Sequence, residues 1–188
     1  LAAVLLLGLL VPLQGINQLL LGLDRLLFPD FRRVRVERPL FIVGPPRSGT
    51  TLLHRLLALD TEQFTTLPLW EILLAPAICQ KYFYLSLYRI DGWIGHPGFR
   101  LLCWLERVML RSNDGIHHTS LQLPEEDFLL LLPRRACFLL ILAFPHCERL
   151  WRLGQFDQAY PAETRQRLLA YYRGMLQRHL YARAPHHR

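Results

Sequence analysis

Residues 38–60, RPLFIVGPPRSGTTLLHRLLALD, restrict the fold more than any other part of this chain. Leu40, Phe41, Ile42 and Val43 form a short apolar run whose aromatic and β-branched content suits a buried strand of a parallel sheet. Gly44, Pro45 and Pro46 end the run, because proline lacks an N–H and fixes φ. Arg47, Ser48, Gly49, Thr50 and Thr51 then lead into a helical pattern, with Leu52, Leu53, Leu56, Leu57 and Leu59 along one broad face. Strand, tight loop and helix start direct backbone N–H groups toward one point, at the positive end of a helix dipole. Such a unit suits a phosphate-like anion.

The spacing from Gly44 to Gly49 is that of a P-loop, but Thr50 and Thr51 follow where a nucleoside triphosphatase carries lysine and a hydroxyl residue. That lysine neutralises the β- and γ-phosphates, and its neighbour binds magnesium. Here the cation is Arg47, and the hydroxyls are Ser48, Thr50 and Thr51. PPRSGTTLLHRLL resembles the 5′-phosphosulfate loop of sulfotransferases that use 3′-phosphoadenosine 5′-phosphosulfate (PAPS). It is similar to bacterial enzymes of the broad group that includes the tyrosylprotein sulfotransferases, which also carry Arg-Ser-Gly-Thr-Thr.

The resemblance implies an α/β fold with a P-loop-like parallel sheet flanked by helices, helix-rich in this chain. It implies that Pro46, Arg47, Ser48, Gly49, Thr50 and Thr51 bind PAPS as cosubstrate, without a metal. The acceptor stays open among carbohydrate, lipid, small molecule and protein tyrosine, and nucleic acid is not an expected partner. The rival readings are a nucleotide kinase or triphosphatase with a modified loop, and a non-enzymatic membrane-associated scaffold. The likeness is strong over residues 38–60, loose to about residue 127, and beyond that one of helical pattern only. In the family, a later Arg and Ser bind the 3′-phosphate, and no convincing copy precedes Arg188. Residues 1–37 therefore read as an apolar helix and linker, and residues 38–188 as the N-terminal part of a sulfotransferase domain.

Two stretches offer a catalytic base. Leu69, Trp70, Leu73 and Leu74 have helical spacing, with Pro68 suited to the first turn and Glu71 the one acid among them. Glu71 reads either as a first-turn acid favoured by the helix dipole or as a general base. In the tyrosylprotein group a catalytic glutamate follows the phosphosulfate arginine at an offset a few residues shorter than that from Arg47 to Glu71. Residues 114–127, DGIHHTSLQLPEED, hold His117 and His118 just before Pro124, Glu125, Glu126 and Asp127. The three acids are explained as first-turn residues behind a proline at the first helical position. The resemblance also places a histidine shortly before Pro-Glu-Glu, so either histidine, His118 by preference, could take a proton from an acceptor hydroxyl. A plain surface loop is the alternative.

The remaining sequence sets broader bounds. The 188 residues suffice for one core. The net charge is +7, with Lys81 the only lysine, which on its own fits an anionic ligand, nucleic acid, a membrane surface or simply a basic exterior. Cys79, Cys103, Cys137 and Cys147 form no C-x-x-C pair and read as free thiols of a reducing compartment. Residues 1–23 carry no charge, and from Ile16 the positions Leu19, Leu20, Leu23 and Leu27 have helical spacing. A helix packed on the core, a membrane-surface helix and a true span are all open for this segment. Residues 77–90 read as helical core or an aromatic acceptor pocket, and residues 91–98 as a mobile connector. Residues 137–144 suit a buried strand or core helix, and a long helix starts after Pro161 with Arg165, Arg167 and Arg178 on its solvated side.

Overall fold

The computed structural model describes residues 2–45, 48–110 and 120–183. They form a helical assembly: α1 (Ala2–Leu27), α2 (Thr50–Leu57), α3 (Leu69–Leu73), α4 (Ile78–Trp93), α5 (Pro97–Leu110), the short α6 (Leu140–Ala143), α7 (Glu148–Trp151) and α8 (Phe156–Ala159), and α9 (Ala162–Arg183). A 3₁₀ turn over Pro29–Arg33 follows α1, and another covers Asp127–Arg134. Leu21, Leu67, Ile72, Ala77, Leu130 and Met175 form the central apolar cluster, so α1, α3, α4 and α9 meet around it.

Polar groups fix how α1 is rotated. Asp24 is fully buried and accepts hydrogen bonds from the N–H groups of Ile78 (2.9 Å) and Cys79 (3.2 Å). A carboxylate from one helix thus caps the positive end of another. Arg178 of α9 donates to the same carboxylate at 3.0 Å, reaches the carbonyl of Leu21 at 3.1 Å and lies over the Phe31 ring. Asn17 donates to the carbonyl of Leu73 at 3.0 Å and accepts from Gln80 at 2.7 Å. These bonds turn Asn17, Leu21 and Asp24 inward and leave Ile16, Leu19, Leu23 and Leu27 exposed. Of the helically spaced positions from Ile16, Leu20 alone packs against the central cluster. Among the described residues no helix is long and apolar enough to cross a membrane.

The expected sheet is not found. Among the described residues there is no strand, only an isolated antiparallel bridge between Pro68 and Pro124. Leu40, Phe41 and Val43, expected as a buried strand, are exposed. A strand is stabilised by a ladder partner and a covered face, and this segment has neither here. The second candidate, residues 137–144, folds as a turn running into α6. The bridge has its own consequence: Pro124 pairs with Pro68 instead of opening a helix, and Glu126 becomes the cap residue of the 3₁₀ turn.

Two other expectations are revised by local bonding. Residues 91–98, expected as a connector, are the end of α4, a three-residue turn and the start of α5, and Asp91 accepts from the N–H groups of Gly98 (2.9 Å) and Phe99 (2.8 Å) across the turn. Arg178, expected in solvent, is buried because Asp24 needs a cation. The long helix after Pro161 is present as α9.

Candidate functional site

The anion-binding loop is described on both sides of Pro46 and Arg47, which themselves lie outside the described residues. A Cβ at Gly44 would come within 2.6 Å of the Ser48 Oγ and 2.9 Å of a Thr50 methyl. The chain therefore folds back on Gly44, and a side chain there would force those of Ser48 and Thr50 to shift. Gly49 has φ 84° and caps α2 from the left-handed region. Helix α2 starts at Thr50, and the N–H of Leu53 bonds the carbonyl of Gly49 at 3.0 Å. The N–H groups before Leu53 belong to the first turn, where an α-helix supplies no internal acceptor. Ser48 and Gly49 are exposed, and Thr50 and Thr51 are half-buried. This cradle of turn and helix start suits an anion. Of the leucines that the sequence places along one broad face of α2, Leu52, Leu53 and Leu56 are exposed.

Glu71 occupies a different environment. It sits in α3, 2% exposed, and its carboxylate is shared by three cationic or protonatable groups. Lys81 Nζ donates to Oε2 at 2.9 Å, His179 Nδ1 meets the same oxygen at 2.8 Å, and Arg183 donates to Oε1 from Nη2 (2.6 Å) and Nε (3.2 Å). Lys81 also reaches the carbonyl of Ala75 at 2.9 Å. On the far side of the imidazole, Nε2 lies 2.9 Å from the Thr65 hydroxyl. With Nδ1–H donating to Glu71, Nε2 accepts from Thr65, which fixes a single neutral tautomer.

Burial alone would raise the Glu71 pKa, but the His179 hydrogen bond and the charges of Lys81 and Arg183 outweigh it and hold the carboxyl far below the usual carboxylate range. Burial pushes the Lys81 ammonium down, against the pull of Glu71. His179 is lowered for the same reason, its bond to Glu71 offsetting only part of the burial cost. A carboxylate so strongly ionised is a poor proton acceptor, whereas a three-way ionic clamp joins α3, α4 and α9 firmly.

The clamp sets an acid limit. Glu71 has a depressed folded pKa, so its stabilisation is complete above its ordinary value of 4.5 and is lost as pH falls below it. His179, also depressed, resists a proton that the unfolded chain accepts below 6.5, so stability already declines from there. Denaturant melts across a pH series should show a plateau near neutrality, a first decline below 6.5 and a second below 4.5. Unchanged stability from neutral pH to pH 4.5 would contradict this.

The structure thus brings Gly44, Ser48, Gly49 and Thr50 together, and among the described residues no hydrogen bond or ion pair joins them to Glu71. His117 and His118 lie outside the described residues. Among the described residues no cluster of His, Cys, Asp and Glu is arranged to hold a metal. Sequence reading missed Lys81, His179 and Arg183 as partners of Glu71. One signal was available, since Lys81 is the chain's single lysine and stands in an apolar run.

The comparisons with known proteins add one finding. The model of the sulfotransferase family matches residues 39–140, more than half of the chain, and covers the loop, α2, α3 and the acidic stretch. No curated protein and no solved structure matches. Membership implies a P-loop-like α/β fold, of which the described residues present the loop and its helix. On the loop geometry and this match, the chain belongs to the sulfotransferase family.

Proposed function

We propose that the protein transfers a sulfuryl group from PAPS to a hydroxyl or amine of an organic acceptor. One observation carries this reading: a loop that closes on Gly44 and enters α2 through left-handed Gly49, with Thr50 at the P-loop lysine position and the positive charge on Arg47 instead. Arg47, the first-turn N–H groups and the hydroxyls of Ser48, Thr50 and Thr51 would hold the phosphosulfate. PAPS supplies, when bound, a sulfonate on a good leaving group. Arg47 and the helix-end N–H groups offset charge growing on the leaving oxygen, the task magnesium has in triphosphate enzymes. A base must take the acceptor proton.

We assign the base to His118 or His117, because the three partners of Glu71 oppose its protonation. Glu71 then acts as the anchor of the α3–α4–α9 junction. Unpaired and exposed beside the loop, Leu40, Phe41 and Val43 are suited to the parallel sheet that such a fold carries. The exposed leucines of α1 support a membrane-surface setting for that helix.

Release of adenosine 3′,5′-bisphosphate from PAPS, followed over a panel of carbohydrate, lipid, phenol and tyrosine-peptide acceptors, tests the activity. The reading predicts acceptor-dependent release that His118→Ala together with His117→Ala abolishes. Magnesium-dependent ATP hydrolysis without such release would refute it. A Glu71→Gln variant that keeps its melting temperature but loses turnover would move the base to Glu71.

A further inference from the structure

The second half of α4 and α5 make a hairpin whose apolar surface is largely uncovered among the described residues, Trp70 against Tyr84 being a local exception. Through Tyr82 α4 packs against α1 and α9, but every residue from 83 to 90 is exposed. That leaves Phe83 to Trp93 extending about 16 Å at the usual helical rise. Phe83, Leu87 and Ile90 on α4, and Leu101, Trp104 and Val108 on α5, are all exposed at spacings of three or four. The tip carries Trp93 at 86% exposure and Ile94 at 72%. A water-facing surface rarely carries so much contiguous apolar area without a partner.

The hairpin is nevertheless a built element. Asp91 ties the turn to the start of α5, and Tyr88 packs on His96 and Phe99, with ring centroids 4.7 and 5.3 Å apart. Gly95 and His96, with φ 84° and 59°, reverse the chain in three residues between the helices. A defined turn holds the two most exposed apolar side chains of the hairpin at its apex.

Its charges are one-sided. Both acids of the hairpin are occupied, Asp91 by Gly98 and Phe99 and Glu106 by the N–H of Leu121 at 2.6 Å. The charged side chains left exposed are Arg89, Arg100 and Arg107, all cationic. Apolar and aromatic side chains edged by arginine and free of exposed acid match an anionic lipid interface. Tryptophan and tyrosine partition to the headgroup level there, and arginine meets phosphate. We infer that the α4–α5 hairpin docks on an anionic bilayer surface, its tip at Trp93 and Ile94 entering the headgroup region. This surface is separate from α1 and does not depend on the transferase activity.

The test is sedimentation of the protein with vesicles of phosphatidylcholine alone or mixed with phosphatidylglycerol, at low and high salt. The wild type should bind the mixed vesicles, less so at high salt, with a blue shift of tryptophan emission. Trp93→Asp with Ile94→Asp should lower the partition coefficient by about tenfold or more. The substituted side chains are solvent-facing, so circular dichroism and melting temperature should stay those of the wild type. Arg89→Glu with Arg100→Glu should remove the preference for mixed vesicles while leaving weak binding to phosphatidylcholine. Wild-type partitioning of the tip variant would overturn the inference, because another surface, α1 included, would then carry the binding. So would absence of vesicle binding, whether the protein is a monomer or a dimer that the tip substitutions dissociate.

Discussion

Glu71→Ala should cost about 3–5 kcal/mol of unfolding free energy, the loss expected when one partner of a buried ionic group is removed. The reason is what the substitution leaves behind. Lys81 is 3% exposed and His179 3% exposed, so neither can exchange the lost carboxylate for water. Arg183 reaches solvent and would be the least affected of the three. A domain of ordinary stability has about 5–15 kcal/mol in total, so the variant should approach the unfolding threshold at moderate temperature. Lys81→Met alone should also destabilise. Combined with Glu71→Gln, however, it should cost less than the two single changes added, since the double variant removes both buried charges together. Chemical denaturation of the wild type, the three single variants and the double variant measures this, and a Glu71→Ala cost below about 1 kcal/mol would show the clamp to be dispensable.

Arg47→Ala should weaken binding of adenosine 3′,5′-bisphosphate by about tenfold or more, equivalent to about 1.4 kcal/mol, and remove turnover with PAPS. Arginine presents several N–H donors to an anion in fixed geometry, whereas this loop lacks the lysine that would otherwise supply charge. Arg47→Lys should recover only part of the loss, because a point charge does not reproduce bidentate donation. The melting temperature should stay close to that of the wild type. Equal bisphosphate affinity in Arg47→Ala would remove the loop from the proposed site.

The loop was legible in the sequence because its constraints are local. Gly44 must admit Ser48 and Thr50, Gly49 must adopt positive φ, and a helix must start at Thr50, and each requirement acts within a few residues. The interior was not legible, because its polar residues are explained only by distant partners. Asp24 is paired with Arg178, Glu71 with His179 and Arg183, and Asn17 with Gln80. A hydrophobic pattern read along α1 does not tell Leu20 and Leu21, which these bonds turn inward, from Leu19 and Leu23, which stay exposed. Leu40–Val43 failed as a strand for a related reason, since apolar content shows what could pair but not whether a partner is present.

The central claim is that the loop binds a phosphosulfate nucleotide and not a magnesium triphosphate. Calorimetric titration of the wild-type protein with adenosine 3′,5′-bisphosphate, and separately with magnesium–ATP, tests it most directly. Bisphosphate should bind at micromolar strength, about −8 kcal/mol, unaffected by chelator, with ATP at least tenfold weaker. Tighter binding of ATP that requires magnesium would contradict it.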